Sequence, residues 1–320
     1  MFVVCGEALF DFFVEPSDTG SRPSHLHYQA IAGGSPFNVA IGLRRLGVAS
    51  ALFSGLSGDF LGNRLRQVLQ HEGVDTDYLV TVDAPTTLSL VGLGANGHPQ
   101  YSFYGGQGPE CSLTSAQLPT LDGRVIGIHL GSYVLVKSPT AETLQALIAR
   151  EAEKRLISLD PNLRLNVEPD IERWRHCVEH CARHAHIIKT SDEDLARLYP
   201  LQRAEDIAAG WLKDRCSLVV LTRGSEGVTA FTRTHGALHV PARPVEVVDT
   251  VGAGDTFQAA LLCYLHEHGL ASPQAVAALD AAHIDVMLRF AANAAGLTCS
   301  RRGPDLPRRH ELAIGYPFAS

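Results

Sequence analysis

Apolar and polar positions along this chain fall into two alternating rhythms. Short runs that are largely apolar, at Met1–Cys5, Ala49–Gly55, Val125–Leu130, Leu156–Leu159, His186–Lys189 and Leu218–Thr222, read as strands buried in a sheet. The stretches between them repeat their apolar positions at helical spacing. Phe37–Leu46 carries Val39, Ile41, Leu43 and Leu46 and stops at Gly47; Phe60–His71 is followed by Gly73. Further helices are predicted over Thr140–Lys154, Asp170–His184, Asp192–Leu198 and Ala204–Asp214, and in the last third over Gly254–His268 and Pro273–Ala295. Strand and helix in alternation predict βαβ units, and so a three-layer α/β domain with helices on both faces of a mostly parallel sheet.

Two segments depart from this rhythm. His25–Ala32 and Thr86–Tyr104 alternate with period two, and Asn96-Gly97 between Leu88–Leu93 and Gln100–Tyr104 suits a type I′ hairpin turn. They predict a small antiparallel sheet acting as a lid, formed by residues 12–32 and 86–108, on a body formed by 1–11, 33–85 and 109–320. Such a lid belongs over the strand ends, where open α/β sheets bind ligands.

Composition narrows the class. The 320 residues are 45% hydrophobic and 19% charged, with a formal net charge of −7, which offers nucleic acid no general electrostatic attraction. The start of the chain has no basic region ahead of an apolar one, and no stretch reaches the roughly 18 to 20 apolar residues that span a bilayer. The expectation is a cytoplasmic protein without membrane contact. Seven cysteines without a Cys-x-x-Cys spacing are expected to be free thiols.

The chemistry concentrates in Val248-Asp249-Thr250-Val251-Gly252-Ala253-Gly254-Asp255-Thr256-Phe257. Two glycines in three residues allow a tight turn whose N–H groups converge, and the helix that follows favours an anion at its start. Asp255 falls in the first helical turn, beside that anion hole. Phosphoryl transfer needs this pairing: donors for the charge on the phosphate, and a carboxylate to take the proton from the attacking hydroxyl. Alone, the same residues also fit a loop with an Asp cap. Two other patterns carry less. Gly92-x-Gly94-x-x-Gly97 matches a dinucleotide fingerprint but lies in a hairpin and opens no helix. His176, His180 and His184, with Cys177 and Cys181, read as a polar helix face with cysteines turned inward.

Asp249–Asp255 resembles the C-terminal signature of the ribokinase-like (PfkB) family of sugar kinases. Gly33-Gly34-Ser35-Pro36-Phe37-Asn38-Val39-Ala40, continuing through Leu46-Gly47 and Gly55–Gly62, resembles the N-terminal one. The likeness runs from Gly6-Glu7-Ala8-Leu9-Phe10-Asp11 to Arg302-Gly303.

The resemblance implies a set of roles. Asp255 is the catalytic base, with Gly252, Ala253 and Gly254 forming the anion hole and Arg164, in Asp160-Pro161-Asn162-Leu163-Arg164, stabilising charge on the transferring group. Asp11, Gly33, Gly34, Asn38 and Asn162 take the sugar. Lys189, Ser191 and Glu193 lie by the triphosphate, with Glu193 acting through water on Mg²⁺; Ser191 with Asp194 also reads as a helix-start cap. Thr222, Gly224 and Gly227 make the nucleotide turn, Asn293 lies near adenine, and Asp249 and Gly303 flank a monovalent cation, with K⁺ expected as an activator.

One departure stands out. Fructokinase-like members usually follow the Phe-Tyr of the lid strand with Arg, whereas here Phe103-Tyr104 is followed by Gly105. An acidic sugar would want that cation. The resulting expectation is ATP-dependent phosphorylation of fructose, with another ketohexose such as tagatose or psicose, 2-keto-3-deoxygluconate, or a weakly catalytic sugar-binding regulator as the alternatives. Exposed lid edges predict a homodimer formed through the lid.

Overall fold

Strands that are apolar on both sides need a hydrophobic layer on each side, and the fold follows from that requirement. A computed structural model describes residues 1–14, 24–93 and 99–312. The elements in its first half are β1 (Phe2–Cys5), β2 (Leu9–Val14), β3 (Tyr28–Gly33), α1 (Ser35–Arg45), β4 (Ser50–Ser57), α2 (Phe60–His71), β5 (Leu79–Val82), β6 (Leu88–Leu93), β7 (Pro99–Tyr104), β8 (Gly127–Gly131) and α3 (Thr140–Glu151). The second half holds β9 (Leu156–Asp160), α4 (Ile171–Ala182), β10 (Ile187–Ser191), α5 (Asp192–Leu198), α6 (Ala204–Trp211), β11 (Leu218–Thr222), β12 (Val228–Thr232), β13 (Gly236–Val240), α7 (Ala253–Glu267), α8 (Pro273–Ala277) and α9 (Ala281–Cys299).

The large sheet has the order β13-β12-β11-β10-β9-β8-β1-β4-β5, and from β11 to β5 every neighbouring pair is parallel. Alternate side chains feed two separate cores. Phe2 and Val4 of β1, with Leu218 and Val220 of β11, pack into a cluster shared with α1, α2, α7 and α9. Val3, Cys5, Val219 and Leu221 point the other way, to a cluster shared with α3, α4, α5 and α6. Each such buried side chain contributes about 1.5–3 kcal/mol. All seven cysteines are free, and six of them are buried.

The expected elements are present, with several differences. The stretch Pro273–Ala295 is two helices: α8 ends at Ala277, and Asp280 restarts the chain as the N-cap of α9 by accepting from the His283 N–H at 2.8 Å. The pattern reading passed over β5 and the β12–β13 hairpin, which pairs antiparallel on the edge of β11. It also passed over β2, although Leu9–Val14 is apolar at five of its six positions.

The small sheet, ordered β3-β2-β6-β7, is mixed rather than wholly antiparallel. Both β2 and β6 leave the large sheet, and β3 and β7 return to it. The two outgoing strands lie side by side, parallel, with Asp11 opposite Ser89. The turn expected at Asn96-Gly97 lies outside the described residues. No helix among the described residues is long and apolar enough to cross a membrane.

The return from β7 locks onto the body at Gly55, where an added Cβ would stand 2.0 Å from the Pro109 carbonyl oxygen. Backbone cannot yield as a flexible side chain would. Gly55→Ala should therefore cost at least about 2 kcal/mol, read as a lowered midpoint in urea unfolding.

Candidate active site

The strand ends of the parallel sheet point toward the small sheet, and the polar residues of the site follow those ends. β9 closes on Asp160, β10 runs through Lys189 to Ser191, and β11 ends at Thr222. The start of α7 completes the group. Gly252, at φ 78°, is its N-cap, a left-handed turn that L side chains resist; a Cβ there would also meet Pro304 at 2.8 Å. The Ala253 N–H bonds back to the Thr250 carbonyl at 3.2 Å and serves the turn itself. The N–H groups of Gly254 and Asp255 stand at the helix start, outside its i→i−4 ladder.

Asp255 is 8% exposed, and both its oxygens are held. The Ser35 hydroxyl donates to Oδ1 at 2.6 Å and the Asn38 amide to Oδ2 at 2.8 Å. Burial pushes its carboxyl above the ordinary range, while these two bonds and the charges of Lys189 and Arg164 pull it back. A carboxylate so balanced is oriented yet a stronger base than one in water.

Lys189 stands directly beneath the loop, its Nζ 3.1 Å from where a Gly254 side chain would begin. Any residue but glycine there would press on the ammonium. Nζ also donates to Asp160 Oδ2 at 2.7 Å, a pair almost closed to solvent. Burial disfavours the ammonium, but Asp160, with Asp255 and Asp194 adding to it, holds the Lys189 pKa above its usual value. Asp160 Oδ1 is buried without a hydrogen-bond partner among the described residues. Asp194, in the first turn of α5, accepts from the Leu163 N–H at 3.2 Å; burial first, then the charge of Asp160, pushes its carboxyl up to about 6.

Asp11 points back from β2 toward the same space. Its Oδ2 lies 2.6 Å from where a Gly33 Cβ would stand, so a side chain at 33 would displace that carboxylate. Burial again raises its carboxyl, with Arg164 and Asp255 as its charged neighbours. Gly34, at φ 107°, caps α1 and sets Ser35 and Asn38 on the helix face that meets Asp255. Asn162 takes a left-handed φ of 42°, turning the chain after β9, and Arg164 bonds through Nη1 to the Leu163 carbonyl at 3.0 Å.

Other expected positions stand apart from this cluster, joined to Asp255 by no hydrogen bond or ion pair among the described residues. Ser191 caps α5 by accepting from the Asp194 N–H at 3.0 Å, as its spacing predicts, and Glu193 is exposed on the first turn. Thr222 donates to the Thr190 carbonyl at 3.3 Å; Gly224 and Gly227, at φ 48° and 99°, form the turn after β11. A Cβ on Gly227 would lie 2.3 Å from the Val240 carbonyl oxygen. Asn293 accepts from Arg243 at 2.9 Å. Asp249 and Gly303 do meet: the Gly303 N–H donates to Asp249 Oδ2 at 2.9 Å, and Oδ1 takes the Val251 N–H. His176, His180 and His184 form no metal cluster with neighbouring ligands among the described residues, and Cys177 and Cys181 are buried.

Sequence reasoning missed Ser35, Asp160 and Asp194. Each is a polar residue at a strand end or in the first turn of a helix, and that was the available signal.

Comparison with known proteins gives the family and agrees with the fold. Residues 1–310 match the family model described as pfkB family carbohydrate kinase. A fructokinase of Rhizobium leguminosarum bv. trifolii is 37% identical over 316 residues, covering 98% of this chain and 93% of the relative. The crystal structure of fructokinase with bound ATP from Xylella fastidiosa superposes with a TM-score of 0.87 at 26% identity, covering 97% and 96% of the two chains. A double-mutant fructokinase from Vibrio cholerae O395, in a form bound to fructose, ADP and potassium ion, gives 0.82 at 26% identity over 97% and 96%. By the family model across almost its whole length and by its relatives, the chain belongs to the pfkB family of carbohydrate kinases.

Proposed function

We propose that this kinase transfers the γ-phosphate of ATP to a primary hydroxyl of fructose, with Asp255 as the base. The observation that carries the reading is the buried Asp255 carboxylate, held by Ser35 and Asn38 at the start of α7 beside the glycine turn. The free lone pairs of that carboxylate accept the proton of the sugar hydroxyl as its oxygen attacks phosphorus. Developing negative charge falls on the Gly254 and Asp255 N–H groups at the helix start, supported from below by Lys189 and laterally by Arg164. Gly252 and Ala253 act by shaping the turn.

Asp11, Gly33, Gly34, Asn38 and Asn162 border the sugar. Lys189, Ser191, Thr222, Gly224, Gly227 and Asn293 border the nucleotide, from its phosphates to its base. Fructose is favoured because the relatives carry that activity in their names and the Vibrio cholerae structure holds that sugar. Gly105, where a lid arginine would stand, leaves no cation at that place for an acidic sugar.

Mg²⁺ fits Glu193, an exposed oxygen donor in the first turn of α5, since this ion keeps most of its waters and takes few protein ligands. When bound, it neutralises phosphate charge. Asp249 and Gly303, neighbours through a 2.9 Å hydrogen bond, would hold a monovalent cation, and potassium is bound in the Vibrio cholerae relative. The small sheet acts as the lid, and its outer strands β3 and β7 offer edges through which two copies could pair. The protein works in the cytoplasm.

Asp255→Asn should lower kcat by about 10² to 10⁴ with little change in KM; near-normal turnover would remove the base assignment. ADP release measured across fructose, tagatose, psicose, ribose and 2-keto-3-deoxygluconate should be strongest with fructose and should rise on adding potassium. A stronger response to the acidic sugar would reverse the substrate reading. Light scattering at micromolar concentration should give twice the 34.5 kDa chain mass, and a single-chain mass would rule out the dimer.

A further inference from the structure

Two buried carboxylates outside the phosphoryl-transfer group stand at the base of the small sheet. The chain crosses between the two sheets at four places, and each carboxylate ties two of them together. Glu7 lies on the outgoing crossing from β1 to β2; its Oε1 accepts from the N–H of Ser35, just after the returning strand β3, at 3.2 Å. Glu110 lies after the returning strand β7; its Oε1 accepts from the hydroxyl of Thr87, just ahead of the outgoing strand β6, at 2.8 Å. The Tyr133 hydroxyl adds a second bond to that oxygen at 2.9 Å. Both residues are 2% exposed. The packing leaves no slack: a Cβ on Gly34 would meet the Glu7 carbonyl oxygen at 2.7 Å, and one on Gly108 would meet Thr87 Oγ1 at 2.0 Å.

Ser35 links this base to the chemistry. Its N–H is held by Glu7, and its hydroxyl holds Asp255 across a separation of 220 residues. We propose that Glu7 is a positioning residue for phosphoryl transfer: it fixes Ser35, Ser35 fixes the Asp255 carboxylate, and Glu110 holds the second pair of crossings in register beside it. The inference rests on Asp255 acting as the base.

The pair is also costly to ionise. Ser132, Arg164 and Glu110 face Glu7, and Tyr133 and Cys111 lie beyond Glu110. Burial, offset in part by hydrogen bonds and Arg164 and reinforced by Glu110, pushes the Glu7 carboxyl from 4.5 up to about 7. A carboxyl raised on folding lends full stability below its unfolded value and loses it as pH rises toward its folded one. The window for Glu7 is therefore pH 4.5 to 7.

The test is a double-mutant cycle on kcat at saturating Mg·ATP and fructose, run beside Asp255→Asn. Glu7→Ala and Ser35→Ala should each slow turnover about 10- to 100-fold with KM for ATP little changed. The double variant should be no slower than Ser35→Ala alone, because Glu7 acts through that hydroxyl. Losses that multiply would overturn the coupling. Should Glu7→Ala fail to fold, Glu7→Asp, which withdraws the acceptor by one methylene, carries the same cycle. Glu7→Gln keeps an acceptor oxygen and should recover most of the turnover; a folded Glu7→Gln enzyme as slow as Glu7→Ala would refute the role. Its melting temperature should gain on the wild type between pH 4.5 and 7, and a constant difference would show that Glu7 is not held protonated. Near-normal Asp255→Asn removes the base and this inference together; an inactive Asp255→Asn beside multiplying losses removes the inference alone.

Discussion

The Asp255 carboxylate, the proposed base, lies away from water and would still have to accept a proton, and those demands oppose each other. Removing a carboxylate from water is unfavourable unless other groups replace the lost hydration. Around Asp255 the replacements come from four directions: Ser35 and Asn38 from α1, Lys189 from β10, Arg164 from the segment after β9, and its own helix start. None of these is near Asp255 in sequence except the last. The site therefore exists only when the sheet, the helical layer that holds α1 and α7, and the crossing that leads into α1 are all in place.

The Lys189–Asp160 pair illustrates how tightly this is arranged. A buried ion pair adds little net stability against a well-packed apolar one, yet losing one partner costs about 3–5 kcal/mol. Its value here is placement. The ammonium sits against the one position in the glycine turn where a side chain would displace it. Glycine at 254 thus leaves room for the cation below it.

Much of the fold was legible because the parallel strands are buried on both faces. Leu156–Asp160 and Leu218–Thr222 have no exposed face to confuse the pattern, and Phe60–His71 is bounded by an Asp59 cap and Gly73. The β12–β13 hairpin was not legible for the opposite reason: at the sheet edge it mixes Thr, Ala and Gly with apolar residues, and short alternation of that kind is common in loops. The parallel pairing of β2 with β6 could not be read either, since pattern gives a strand its faces and not its neighbour. Within the site, the glycine turn and Asp255 announced themselves by spacing. Ser35, Asp160 and Glu7 did not, because their partners lie 220, 29 and 28 residues away.

The span between Ser35 and Asp255 also bears on how the protein is made. At a synthesis rate of about 5–20 residues per second, their 220 residues separate them by on the order of 10 to 40 s on the ribosome. For that interval the face of α1 that α7 later covers, where Gly42 meets Ala259, has no partner. The nascent chain can assemble the parallel strands of the sheet while this apolar flank stays wet, a surface suited to chaperone capture. The site itself is completed only afterwards, because α7, which carries Asp255, follows every strand of both sheets in the chain.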